Sequence, residues 1–99
     1  MKLRGYNIYS MSCYVYIIKN NDDDLYVGIT ENLNNRLYSH NTNQGSVFTK
    51  NKEDFKIVFK EEYETLTEAR GREVQIKKWR RNKKEMLIKR YSLRLPTKQ

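Results

Sequence analysis

Among 99 residues there is one cysteine, one histidine, one proline and one tryptophan. With Cys13 the only cysteine, a disulfide within the chain is excluded. With His40 the only histidine, so is a Cys/His zinc cluster. Cys13 falls at the start of an extended run, where it is most simply a small buried hydrophobe. Nothing approaches the ~18 consecutive apolar residues of a membrane-spanning helix. Residues 1–12, MKLRGYNIYSMS, hold no apolar secretion-signal core, so the cytoplasm is the expected location. Met11 is an alternative start that costs the first strand nothing. Gly-rich phosphate loops, a His–Cys dyad, a nucleophile elbow, internal repeats and interdomain linkers are all missing. Acidic residues are scarce as well: 12, against 20 lysines and arginines, for a net charge of +8. On so small a chain this favours a polyanionic partner, nucleic acid before a membrane surface. The hydrophobic share of 37% supports one modest core and one domain.

What is present is organised around residues 13–30, CYVYIIKNNDDDLYVGIT. Two runs rich in β-branched and aromatic residues flank a polar break at 20–24, the pattern of a β-hairpin with a five-residue loop. Alternation puts Val15, Ile17, Leu25, Val27 and Ile29 on one face. Tyr14, Tyr16, Ile18, Tyr26, Gly28 and Thr30 share the other. Pairing Lys19 with Leu25 sets Tyr16 opposite Gly28 and Ile18 opposite Tyr26. Two phenols then flank a residue without a side chain, and a shallow hollow is expected between them. An interior strand glycine often marks close approach to the backbone.

Beyond the hairpin, Asn32 is an expected helix N-cap. Leu33, Arg36, Leu37 and His40 follow at i, i+3, i+4 and i+7 and share one stripe. The leucines are core; the arginine and histidine either snorkel from its edge or serve the hollow. Residues 41–54 form a long polar loop in which Lys50 and Lys52 are candidate phosphate contacts. Alternation of Phe55, Ile57 and Phe59 against Lys56, Val58 and Lys60 predicts a third strand over 55–63, antiparallel to the hairpin. Thr65 and Glu68 make a capping box opening a helix to about 81. On it Leu66, Ala69, Glu73 and Ile76 cluster in one sector, with Arg80 beside them. A carboxylate among apolar positions needs a partner, and a salt bridge to Arg36 is the ordinary one. Glu61, Glu62, Glu64 and Glu68 are expected to be solvated. Lys77, Lys78, Arg80, Arg81, Lys83 and Lys84 form a basic run with Trp79 inside it. Lys77, Arg80, Arg81 and Lys84 are its candidate nucleic-acid contacts, and Trp79 is expected in the core or as a lid. Asn82 is placed to cap a last helix over 83–89. The expected organisation is an extension at 1–11, a domain at 12–88 and a basic, poorly ordered tail at 89–99.

Tyr14-Val15-Tyr16, then Tyr26-Val27-Gly28, with Arg36, His40 and Glu73 further on, resembles the GIY-YIG nuclease domain over about 12–88, in the small standalone form similar to the N-terminal domain of excinuclease C. That likeness implies an α+β fold, a three-stranded antiparallel sheet packed with about three helices. It also implies a DNA endonuclease with Arg36 as catalytic arginine and Glu73 as metal ligand. Tyr16 would be the general base and Tyr26 would orient it or hold the nucleophilic water, while His40 falls where the family often has histidine or tyrosine. The first triplet keeps only its tyrosine. Ile29 stands where many members carry lysine, and Asn82 is the nearest match to an asparagine that some place after the glutamate.

Phosphodiester hydrolysis suits this set. Negative charge builds on the non-bridging oxygens, and a guanidinium and a divalent cation, Mg²⁺ or Mn²⁺, answer it. One carboxylate argues for one metal. Tyrosine is a weak base near pH 7, and His40 is the alternative proton acceptor, with an unperturbed pKa of about 6.5. The expected substrate is DNA, with low sequence specificity or a preference for structured or single strands. The other readings are a non-catalytic nucleic-acid-binding module and an accessory subunit for a protein partner in repair or recombination.

Overall fold

The computed structural model describes residues 12–42 and 54–98, with side chains for 12–38 and 54–98. Its elements are β1 (Cys13–Lys19), β2 (Leu25–Thr30), α1 (Leu33–Thr42), β3 (Lys56–Tyr63), α2 (Leu66–Lys77) and α3 (Arg81–Ser92). Both of the sheet's strand pairs are antiparallel, in the order β2-β1-β3, so the first strand is central. The hairpin register is the expected one, with Tyr16 opposite Gly28 and Lys19 opposite Leu25. Asn20 builds the loop. Its Oδ1 accepts from the backbone N–H groups of Asp22 (3.0 Å) and Asp24 (2.9 Å). The tight return puts Asp23 at φ 72°, a left-handed conformation that Asp tolerates.

Each face of the sheet carries a layer. Val15, Ile17 and Phe59 are fully buried against Ala69 and Ile76 of α2 and Leu87 of α3. On the opposite face Tyr16, Ile18 and Phe55 pack against Leu33 and Leu37 of α1. Central β1 is therefore apolar on both sides, which an edge strand facing water would not sustain.

Strict alternation fails in β3. Ile17 pairs with Phe59 but Ile18 pairs with Ile57, so residue 58 is an extra, bulged position. A bulge reverses which face later residues take. Phe55 and Ile57 consequently join the tyrosine side, while Phe59 crosses to the helical side.

The helix starts follow local chemistry. Asn32 Oδ1 accepts from the Asn35 N–H (3.0 Å), capping α1. Thr65 caps α2, accepting from the Glu68 N–H (3.1 Å) and donating its hydroxyl to the Glu68 carboxylate (3.2 Å). The helix ends at Lys77 rather than near 81, because residues 78–80 turn so that Trp79 can pack on the core. Arg80, extended at ψ 162°, is the N-cap of α3, which replaces the shorter helix expected after Asn82. The C-terminal stretch, expected to lack order, continues α3 to Ser92 and then folds back. Leu95 N–H bonds to the Arg90 carbonyl (2.9 Å), and Arg90 Nε donates to the Pro96 carbonyl (2.8 Å).

Glu61 also departs from expectation. It is not solvated: its side chain is 2% exposed, held by Arg72 Nε at 2.9 Å from Oε1. Arg72 Nη2 reaches Oε2 at 3.1 Å and the Thr97 carbonyl at 3.0 Å, and the Tyr63 hydroxyl donates to Oε1 at 2.9 Å. Burial pushes this carboxyl's pKa up. The Arg72 hydrogen bonds, with those of Thr97 and Tyr63, outweigh it and hold the group below its ordinary value. On Tyr63 the effects add, and burial plus the Glu61 acceptor raise the phenol to about 12.

Candidate active site

Tyr16, from the central strand, is 4% exposed. Its ring lies over Gly28: a Cβ built there would sit 2.6 Å from Tyr16 Cζ and closer still to Oη. The expected hollow beside Gly28 is thus filled by the Tyr16 phenol, and the close approach that the glycine permits is made by this side chain. Since β2 is the edge strand, the phenol is carried toward the edge of the sheet. Gly28→Ala is expected to displace the Tyr16 ring and destabilise the fold by about 1–3 kcal/mol, the usual cost of overpacking. Denaturant melts and the near-ultraviolet signal of the tyrosines would register both effects.

Tyr26, opposite Ile18, stands two residue pairs nearer the loop. It is 44% exposed, and its ring meets Phe55 edge-to-face at 5.3 Å. That contact, from the opposite edge of the sheet, fixes the orientation of an otherwise open phenol.

Arg36 is presented by the first turn of α1, on the stripe whose leucines anchor that helix, and its side chain is exposed. Glu73 lies on α2 between buried Ala69 and Ile76, as its sector predicted, and its carboxylate is 12% exposed. Its ion pair is with Lys77 one turn on, at 3.1 Å, rather than the salt bridge to Arg36.

Tyr16 joins these groups. Burial raises its pKa most, the Arg36 guanidinium pulls it down, and the Glu73 carboxylate pushes it up. Arg36 and Glu73, from helices on opposite faces, therefore both act on one phenol at the sheet edge. A cleft of about 660 Å³ opens between the N-terminal ends of α1 and α2, lined by Asn32, Asn35, Arg36, Leu66 and Arg70 among others; of the four site residues Arg36 alone lines it. A slightly larger one, about 710 Å³, lies under the C-terminal stretch and shares no residue with Tyr16, Arg36 or Glu73.

The remaining candidates divide. His40 belongs to α1, but its side chain lies outside the described part, and Lys50 and Lys52 lie outside the described residues. Of the basic run, Arg81 is neutralised by Glu85 (2.7 Å) and Asp23 (3.5 Å), and Lys77 by Glu73. Lys83 sits over the Trp79 ring at 4.4 Å, and Trp79 covers the core as a lid. Arg80 is exposed and Lys84 half-buried. The sequence reading passed over Arg70; its place on α2 one turn before Val74 gave no signal until α1 was brought alongside.

For a divalent ion the donor chemistry is hard oxygen. Among the described residues no group of three His, Cys, Asp or Glu side chains converges. Glu73 alone, with water and phosphate oxygens, matches an ion that keeps much of its hydration, as Mg²⁺ does, and not a zinc-type cage. Its counterion Lys77 is 54% exposed and free to swing aside.

Residues 12–86, which include all but the end of this sheet-and-helix domain, match the family model described as the GIY-YIG catalytic domain. The chain belongs to this family, a nuclease superfamily whose substrates are nucleic acids. Relatives similar to it include UPF0213 proteins of Staphylococcus aureus strains Mu50 and N315. They are 44% identical over 78 residues, covering 79% of this chain and 95% of theirs. The solution NMR structure of a UPF0213 protein from Bacillus halodurans is similar as well, with a TM-score of 0.53 and 30% identity. That match covers 80% of this chain and 84% of the other. Among the described residues no helix is long and apolar enough to cross a membrane.

Proposed function

We propose that this chain is a Mg²⁺-dependent DNA endonuclease acting through one metal ion, with low sequence specificity or a preference for single-stranded or branched DNA. What supports the reading is that Glu73 sits between buried Ala69 and Ile76 with only 12% of its side chain exposed, and that its charge raises the Tyr16 pKa while that of Arg36, on a separate helix, lowers it.

Arg36 is exposed and free to take two non-bridging oxygens of the scissile phosphate in its planar fork. Glu73 would hold the divalent ion, which when bound supplies positive charge to the pentavalent transition state and acidifies water. Tyr16 would accept the proton of the attacking water as its phenolate, having first given its own proton to solvent. The positive charge of Arg36 and of a bound divalent ion would favour that form. Burial opposes that ionisation, so the nearby positive charges have to outweigh it. Tyr26, braced by Phe55, would orient the attacking water. His40 is the second candidate acceptor.

In metal-free protein the Tyr16 phenol is expected to titrate above 10, the ordinary tyrosine value. Glu73→Gln should lower that midpoint and Arg36→Ala raise it, since the two charges act with opposite signs. Ultraviolet difference titration against Tyr16→Phe reads this directly. Because the folded-state value exceeds the unfolded one, the phenol's contribution to stability is intact below about pH 10. It is lost as pH rises through the folded-state value.

The decisive experiment incubates pure protein with labelled single-stranded, duplex and branched DNA, with Mg²⁺ or with EDTA. Cutting in Mg²⁺ alone is the expected result. DNA bound but never cut in any form would replace this reading with the binding-module one.

A further inference from the structure

Lysines and arginines on this surface differ in how committed they are. Lys77 is engaged by Glu73, Arg81 by Glu85 and Asp23, Arg72 by Glu61, and Lys83 by the Trp79 ring. Arg36 and Arg70 have no ion-pair partner among the described residues, and both are exposed. They line the same cleft of about 660 Å³, Arg36 from α1 and Arg70 from α2. The carboxylate of Glu31 is exposed on that cleft too, so two guanidiniums face one acid there. The α1 N-terminus also opens onto it, with the amide side chains of Asn32 and Asn35 as neutral hydrogen-bonding groups. The α1 macrodipole adds a fraction of a positive charge at that end.

Arg70 cannot be serving the core. It follows fully buried Ala69 by one position, which turns it about 100° away from the packed stripe. Leu66, one turn earlier, is 52% exposed, so this rim of α2 is open to a ligand along two turns.

We infer that Arg70 binds the phosphodiester adjacent to the scissile one. It forms with Arg36 a two-guanidinium clamp that seats the DNA strand along the α1–α2 cleft. This rests on the endonuclease reading for the word scissile; the anion-binding role of Arg70 does not depend on cutting. Arg36 holds the reacting phosphate, and Arg70 fixes the strand's direction past it. Position and not chemistry is its contribution.

The test measures binding of a single-stranded oligonucleotide as a function of salt, in EDTA, for wild type, Arg70→Ala, Arg70→Lys and Lys89→Ala. Each neutralised phosphate adds about 0.7 to the slope of log K against log salt for single strands. Arg70→Ala is expected to lower the slope by that amount, and Arg70→Lys to restore it. Lys89→Ala, which removes the same charge from the last turn of α3, should leave it unchanged. Where cutting is measurable, Arg70→Ala should raise KM about five- to tenfold at nearly constant kcat. An unchanged slope in Arg70→Ala, or an equal fall in Lys89→Ala, overturns the inference. Wild type that binds but does not cut overturns the endonuclease reading alone and leaves the slope result standing.

Discussion

Glu73→Gln is expected to bind DNA as tightly as the wild type or slightly more so, and to cut it about a thousandfold more slowly, the upper range for losing one transition-state electrostatic contact. Glutamine keeps the length and shape of the side chain, so the packing around buried Ala69 and Ile76 is undisturbed. It removes the only hard anionic ligand that α2 offers toward Tyr16. It also removes a negative charge from a surface that must accept phosphates, so affinity is not expected to fall. Lys77 loses its 3.1 Å partner but is 54% exposed and solvates readily. The measurement is single-turnover cleavage beside equilibrium binding of the same oligonucleotide, with circular dichroism to verify the fold. Cleavage by Glu73→Gln at the wild-type rate would remove the carboxylate from the mechanism and the proposal with it.

The largest effect on stability is expected from Arg72→Leu. The guanidinium spans Glu61 on β3, Gln75 one turn along α2, and the Thr97 carbonyl of the C-terminal stretch, with Nη1 to Gln75 Oε1 at 2.7 Å. Its removal leaves a carboxylate 2% exposed without its cation. Breaking a buried pair from one side costs about 3–5 kcal/mol. A domain of this size has about 5–15 kcal/mol in total. Replacing both partners, Glu61→Leu with Arg72→Leu, should recover much of the loss, since no charge is then stranded. The pH dependence gives an independent signature. In the wild type the Glu61 carboxyl titrates below its ordinary value, so its contribution is present above the unfolded carboxylate pKa, about 4.3. It is lost as pH falls through the folded-state value. In Arg72→Leu burial, the largest effect, is opposed only by the Tyr63 and Thr97 hydrogen bonds, so the pKa is expected to rise, the sign to reverse and acidification from pH 7 to stabilise the variant. Urea melts across pH 3–8 distinguish the two; parallel profiles would show that the pair carries no such weight.

Both predictions meet at one turn of α2. Arg72 and Glu73 are consecutive, so their side chains leave the helix about 100° apart. Arg72 locks α2 to β3 and to the C-terminal stretch, and that lock fixes the rotation of the helix that carries Glu73. Arg72→Leu is therefore also expected to slow cutting, through the aim of a neighbour and not through contact with DNA.

How much of this was legible beforehand depends on the range of the interaction. The hairpin register, the Asn32 and Thr65 caps and the two faces of β1 follow from neighbours a few residues apart, and all appear as expected. Glu73 stood out because a lone carboxylate interrupts an apolar stripe. Glu61 did not, because the alternation that marks strand faces assigns no burial to a residue whose partner lies eleven positions on and whose cover comes from Thr97. The bulge at 58 was invisible for a related reason: alternation by itself cannot say where it breaks.

The sequence alone determined that this is a small basic α+β chain whose phenols share a strand face and whose glutamate sits on a helical stripe, since alternation and helical period are properties of the local backbone. Tertiary structure decided what those residues meet. It laid the Tyr16 ring over Gly28, neutralised Arg81 with an aspartate from the hairpin loop, and opened the cleft between Arg36 and Arg70. Each outcome turns on which distant segments share a surface, and desolvation and charge pairing across that surface are not encoded in any one stretch.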